Sequence, residues 1–250
     1  MRLAALALLV AAASAAPAAQ PPSQSGGQLV LLDGAVQGGL VRGRAPAGTV
    51  ALLVDGRPLP FASDGRFILG FDRDHPGSAI LEARLSDGRV VERSVTVAPR
   101  GWRIEHVNIA QRPSVPDEAY RRRREAELER IRAARSQSTS AEGWRQRFVW
   151  PARGRISGLF GAQRIFRGVP AAYHGGVDVA AGAGALVVAP ADGVVVLAGP
   201  PMFSLEGNLV IVDHGMGLNS AFLHLSSVRV TVGQRLRQGD PIGAVGATGR

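Results

Sequence analysis

The chain contains no cysteine and no lysine, so its net charge of +9 over 250 residues is carried entirely by arginine. Without cysteine there is no disulfide framework, no thiol nucleophile and no lipid-modified N-terminal cysteine, and stability must come from ordinary cores. Without lysine there is no phosphate-binding loop of the Walker type: the glycine-rich stretch Gly243-Ala244-Val245-Gly246-Ala247-Thr248-Gly249 lacks the basic residue that such a loop needs and reads as a turn entering a strand. Long apolar runs are also missing after the N-terminus. The run from Leu3 to Ala13 follows Met1-Arg2, precedes Ala13-Ser14-Ala15, and is well short of the roughly 20 residues that cross a bilayer. It reads as an export signal over residues 1–15, which predicts an exported, periplasmic or envelope-associated protein with no transmembrane anchor once mature. A basic exported chain is drawn to anionic surfaces, and charge alone does not choose among cell-wall polymer, lipid headgroup and nucleic acid.

What is present divides into two modest domains. Residues 16–27 are rich in Pro, Ser, Gln and Gly and read as a flexible linker. From 28 to 100, apolar runs (Leu29–Leu32, Thr49–Val54, Arg66–Phe71, Ala79–Leu85, Val90–Val97) alternate with Asp33-Gly34, Asp55-Gly56, Asp64-Gly65 and Asp87-Gly88. Asp-Gly pairs suit the φ > 0 positions of tight hairpins, so this region is expected to be a small antiparallel β-sandwich, immunoglobulin-like in outline, a spacer or docking module without catalytic residues. His75 is expected on an exposed loop, and His106 receives no role. Residues 101–147 form a linker with a helix over 116–135, opened by Pro116, Asp117 and Glu118 and carrying a thin apolar stripe of Tyr120, Leu128 and Ile131. The basic run Arg121–Arg124 lacks the interleaved aromatics and groove-reading fold of a nucleic-acid binder, so no nucleic-acid partner is expected. The sequence sets no oligomeric state.

Residues 148–250 return to a β pattern. Leu186–Ala189 and Val194–Leu197, joined by Pro190-Ala191-Asp192-Gly193, predict one hairpin; Leu209–Val212 and Leu218–Leu223 predict another. Within this region stand His174 and Asp178, four residues apart, and His224 further on. An imidazole and a carboxylate are suitable zinc ligands, but in a straight strand their α-carbons would lie roughly 13 Å apart. The chain must bend, and Gly175-Gly176 is the pair that permits it, with Gly176 leaving room for a metal. His214, beside Asp213, reads as a turn residue bonded to local backbone. Gly154-Arg155-Ile156-Ser157-Gly158 lacks the spacing of a serine nucleophile elbow.

Taken in order, Ser157-Gly158-Leu159-Phe160-Gly161, Tyr173-His174-Gly175-Gly176-Val177-Asp178, Ala189-Pro190-Ala191-Asp192-Gly193, Val212-Asp213-His214-Gly215, Phe222-Leu223-His224-Leu225 and Gly239-Asp240-Pro241-Ile242-Gly243 resemble the lysostaphin/LytM-type zinc metalloendopeptidases, which cut peptidoglycan cross-bridges. The resemblance implies a C-terminal antiparallel β-sheet peptidase domain in a mainly β protein, with zinc (Zn²⁺) as cofactor and peptidoglycan peptides as substrate. It makes His174 and Asp178 metal ligands and His224 the catalytic histidine beside the metal. Arg164 and Arg167, in the loop before His174, are candidates to pair with a carboxylate of the stem peptide. Two departures accompany it. Phe222 stands where many relatives carry tyrosine. A His-x-His motif, expected shortly beyond Arg250, is missing, so the chain is expected to be truncated before its third ligand and inactive as it stands. The competing expectation is a non-catalytic module of the same fold that binds peptidoglycan or activates a partner hydrolase.

Overall fold

The computed structural model describes residues 27–110 and 117–249. The expected signal over 1–15, almost all of the linker over 16–27, and Pro116 at the expected start of the helix lie outside the described residues. Among the described residues the protein is mainly β, with one α-helix, and no helix is long and apolar enough to cross a membrane.

Seven strands build the N-terminal sandwich: β1 Val30–Leu31, β2 Leu40–Arg44, β3 Thr49–Val54, β4 Arg57–Pro58, β5 Arg66–Gly70, β6 Ser78–Leu85 and β7 Val90–Thr96. They form two antiparallel sheets, β1-β2-β5 and β4-β3-β6-β7. Leu29, Val41, Leu52, Phe67, Leu69, Leu81 and Val95 fill the space between them. The Asp-Gly signal is realised at β3–β4, where Asp55 and Gly56 both take positive φ, 47° and 74°, as a two-residue hairpin of matching twist demands. His75 is more enclosed than expected: its Nδ1–H donates to the Pro76 carbonyl at 2.8 Å, and its ring meets Phe71 edge-on.

Beyond the sandwich, β8 (Ile104–Val107) leads towards α1 (Glu118–Arg135). Asp117 caps α1 by accepting from the Tyr120 amide at 2.7 Å, which satisfies an orphan donor of the first turn. The buried face differs from the expected stripe. Ile131 and Ala134 are buried together with Glu127, whereas Leu128 is exposed. Glu127 is admitted because Arg124 and Ser204 satisfy it. Arg124 bonds Glu127 at 3.0 Å and Glu206 through both nitrogens, and the Ser204 amide and hydroxyl both donate to Glu127. Burial pushes the Glu127 carboxyl up, but the Ser204 and Arg124 bonds together outweigh it and hold the group below its ordinary value.

The C-terminal domain is built from β9 (Arg155–Gly158), β10 (Gln163–Phe166), β11 (Val169–Pro170), β12 (Asp178–Ala180), β13 (Leu186–Val188), β14 (Gly193–Leu197), β15 (Asn208–Asp213), β16 (Asn219–Leu225), β17 (Ser227–Val228), β18 (Arg235–Leu236) and β19 (Pro241–Ala244). Its central sheet runs β16-β15-β14-β18, and β13-β19-β17 packs against it. Val187, Val195, Val210, Val212, Phe222, Leu225 and Ile242 make the core between the two. The opposite face of the central sheet, Val196, Leu197, Leu209 and Ile211, is covered by Ile131, Ala134 and Phe203. This two-sided burial explains why β15 is an unbroken apolar run. The β15–β16 hairpin forms as expected, but the β13–β14 hairpin does not. Strand β13 pairs with β19, and β14 with β15 and β18, so the Pro-Ala-Asp-Gly segment turns the chain from one sheet into the other.

The segment before residue 148 is packed into this sheet. Fully buried Asp213 accepts from the Thr139 amide at 3.0 Å, the Thr139 hydroxyl at 2.6 Å and the Gly215 amide at 3.1 Å. Trp144 is buried beside Gly215, and its amide bonds the His214 carbonyl at 2.9 Å.

Candidate active site

Strand β12 opens with Asp178 and pairs antiparallel with β9, placing Asp178 across from Gly158. Upstream the chain bends at Gly176, and His174 is brought back onto Asp178, with Nε2 3.2 Å from Oδ1. The expected bend is therefore present, and a second glycine borders the pair. A Cβ at Gly175 or Gly176 would meet nothing within 4 Å, whereas a Cβ at Gly158 would lie 2.8 Å from Asp178 Cγ and 3.1 Å from His174 Cε1. Only a residue without a side chain can stand opposite this pair.

The His174 ring is fixed from behind. Nδ1–H donates to the Leu159 carbonyl at 3.1 Å, which turns Nε2 towards the Asp178 carboxylate. Ligating histidines are oriented in this way, one nitrogen donating to backbone and the other free for a metal. Both side chains are open to solvent, 35% exposed for His174 and 61% for Asp178, so an ion can enter. An imidazole nitrogen and a carboxylate oxygen held side by side suit zinc. Among the described residues, no third His, Cys, Asp or Glu joins them in a metal-holding group.

His224 lies near the end of β16 with φ of 62°, a left-handed conformation that costs a non-glycine residue roughly 1–2 kcal/mol. Three hydrogen bonds hold it there. Its amide donates to the Glu206 carbonyl at 2.8 Å, its carbonyl accepts from the Thr248 amide at 3.3 Å, and its Nδ1–H donates to the Thr248 carbonyl at 2.8 Å. Nε2 is left available for proton exchange. Strain of this kind concentrates at functional positions.

The other candidates fall elsewhere. His214 stands at the β15–β16 turn, where its amide bonds the Leu218 carbonyl at 2.8 Å, but its ring is fully buried and bonds no local backbone. Its Nδ1–H donates to the Asp192 carbonyl at 2.7 Å and its Nε2 accepts from the Ser220 hydroxyl at 2.8 Å. Burial pushes this imidazole below its ordinary value, and with both nitrogens occupied it has no lone pair for a metal. Arg164, on β10, bonds Glu105 at 3.0 Å, and Arg167 sits at φ 44° between β10 and β11. The sequence reading missed the structural part of Gly158 and the carbonyls of Leu159 and Thr248. Gly158 belongs to the segment Ser157-Gly158-Leu159-Phe160-Gly161, but the backbone acceptors carry no sequence signal.

Comparison with known proteins gives a consistent picture. Residues 172–250 match the model of peptidase family M23. Cell division protein DipM of Caulobacter vibrioides is 38% identical over 103 residues, 41% of this chain and 16% of that protein. Murein hydrolase activator NlpD of Salmonella dublin is 36% identical over 118 residues, 46% of this chain and 28% of its own length. Peptidoglycan DD-endopeptidase ShyA of Vibrio cholerae is 36% identical over 106 residues, 42% of this chain and 24% of its own length. The chain thus spans less than a third of each of these relatives. A crystal structure assigned to peptidase M23 from Pseudomonas aeruginosa, 28% identical, covers 88% of this chain and 86% of its own with a TM-score of 0.66.

Proposed function

We propose that this protein is a zinc-dependent endopeptidase of peptidoglycan cross-bridge peptides, exported to the cell envelope, a reading supported by the match of residues 172–250 to the model of peptidase family M23. The observation that carries the reading is the His174–Asp178 pair, with Nε2 3.2 Å from Oδ1 and Nδ1 held on the Leu159 carbonyl. His174 and Asp178 would hold the metal, which when bound supplies Lewis acidity towards a peptide carbonyl and towards water. His224 performs proton transfer. With Nδ1–H anchored on the Thr248 carbonyl, its ring keeps one orientation, and Nε2 takes up or returns the proton that passes between water and the leaving amine. Arg164 and Arg167 pair with a stem-peptide carboxylate, Arg164 by exchanging Glu105 for the substrate. The test is zinc content together with release of peptide fragments from purified peptidoglycan. In a chain that also carries the expected His-x-His segment, the unchanged protein should bind zinc and release fragments, Asp178→Ala should do neither, and the double change of Arg164 and Arg167 to alanine should raise KM with little change in kcat. Turnover in the absence of zinc would reject the reading.

A second reading, a non-catalytic binder or activator of a partner hydrolase, is favoured by one observation: among the described residues the metal set stops at two ligands. The relative named as a murein hydrolase activator is in line with it. Protein that releases no fragments itself but increases release by an added murein hydrolase would establish this reading in place of the first.

A further inference from the structure

The sandwich reads from sequence as a spacer, yet one of its arginines is buried against the segment that carries the metal-ligand pair. Arg73, in the loop between β5 and β6, is only 6% exposed. A charge so enclosed is costly unless its donors are satisfied, and here they are. Nε donates to the Gly161 carbonyl at 3.0 Å, one terminal nitrogen to both oxygens of Asp74 at 2.8 Å, and the other to Gln163 Oε1 at 3.0 Å. The guanidinium also lies 4.9 Å from the centre of the Tyr173 ring and 5.5 Å from that of Trp102, within cation–π range. Trp102 packs so closely on Gly161 that a Cβ there would meet the indole.

These contacts converge on His174. Its carbonyl accepts from the Gly161 amide at 2.8 Å and its amide donates to the Ala162 carbonyl at 2.8 Å. Gln163, the second partner of Arg73, passes its own amide to the Ala171 carbonyl at 2.7 Å. Arg73 therefore grips residues 161 and 163, which grip 174 and 171, and it stacks on Tyr173. We propose that Arg73 is a positioning residue for His174, so that the sandwich domain sets the geometry of a site to which it contributes no ligand. This rests on the zinc reading for its consequence, but not for its physical content.

The experiment separates the two. Amide exchange over residues 159–175 and zinc affinity are measured in the full chain for wild type, Arg73→Met, Arg73→Lys and Val95→Ala. Val95→Ala is a buried change in the sandwich core that lowers stability without touching the clamp. In Arg73→Met the amides of Gly161 and His174 should exchange at least about tenfold faster and zinc should bind about tenfold or more weakly, the range for supporting groups of metal ligands. Arg73→Lys should behave alike, since one ammonium cannot serve Gly161, Asp74 and Gln163 together. Val95→Ala should leave both readouts unchanged. Should Arg73→Met fail to fold, Gln163→Met removes one leg of the clamp and should raise exchange at His174 to a lesser degree. Wild-type exchange in the arginine variants, or equal loosening in Val95→Ala, overturns the proposal. Absence of zinc binding by wild type would overturn the zinc reading instead, leaving exchange to decide the clamp.

Discussion

Replacing Gly158 with alanine should abolish the metal site while sparing the fold. The added methyl would stand 2.8 Å from Asp178 Cγ, and closer still to one carboxylate oxygen. Ordinary contact begins near 3.4 Å, so the carboxylate must retreat by at least about 0.6 Å, whereas metal–ligand distances tolerate about 0.2 Å. The retreat costs little stability because Asp178 is 61% exposed and can swing into solvent. Gly158 does not have positive φ, so alanine adds no backbone strain. The expected result is an apo melting temperature near that of wild type and a loss of zinc affinity of about 100-fold or more, roughly 2.7 kcal/mol. Competition against a chromophoric chelator measures the affinity directly. Zinc-induced stabilisation, about 2.7 kcal/mol at a metal concentration 100 times Kd, should fall to about 0.4 kcal/mol or less at that concentration in the variant. Gly175→Ala is the control, since its methyl meets nothing within 4 Å. Wild-type zinc affinity in Gly158→Ala would refute the account of how His174 and Asp178 are brought together.

Three further outcomes are expected. His224→Ala should retain zinc but lose about 10²–10⁴-fold in turnover, and His224→Gly should be more stable than His224→Ala by about 1 kcal/mol because glycine accepts φ of 62° freely; equal stability by denaturant titration would argue against the strain. The His214 imidazole resists protonation when folded, while the unfolded chain takes up that proton near pH 6.5. Stability should therefore be complete above about pH 6.5 and fall below it by up to about 1.4 kcal/mol per pH unit, a dependence that His214→Gln should lack. Arg124→Met should cost about 3 kcal/mol by leaving buried Glu127 and half-buried Glu206 without their shared cation, and adding Glu206→Met should restore part of it, as a double-mutant cycle would reveal.

The β15–β16 hairpin and the body of α1 were legible because each is written locally, as apolar runs about a glycine turn and as acidic residues at a helix start. Strand β2 was not. Its sequence, Leu-Val-Arg-Gly-Arg, offers little apolar pattern, because Gly43 is where the Phe67 ring from the neighbouring strand settles, so the apolar surface belongs to another residue. The false β13–β14 hairpin arose because a turn signal specifies that the chain reverses, not which strand it then meets. On α1 the thin apolar stripe misplaced Leu128, since a buried Glu127 is explained only by Arg124 and by Ser204, which is distant in sequence. The site divides in the same way. His174, Asp178 and His224 are visible as residue types, while the carbonyls of Leu159 and Thr248 that set their rings are anonymous backbone, and Arg73 is separated from Gly161 by 88 positions.

The anchoring of Thr139 on Asp213 has a practical corollary for anyone excising the C-terminal half. A fragment begun at residue 148 would strip three elements at once: two of the three donors that neutralise a sealed carboxylate, the indole stopper of Trp144, and the helix that shields one face of the central sheet. Poor solubility of such a fragment would report the wound left by the scissors rather than any defect in the intact protein, and a cut placed ahead of Asp117 would keep all three elements.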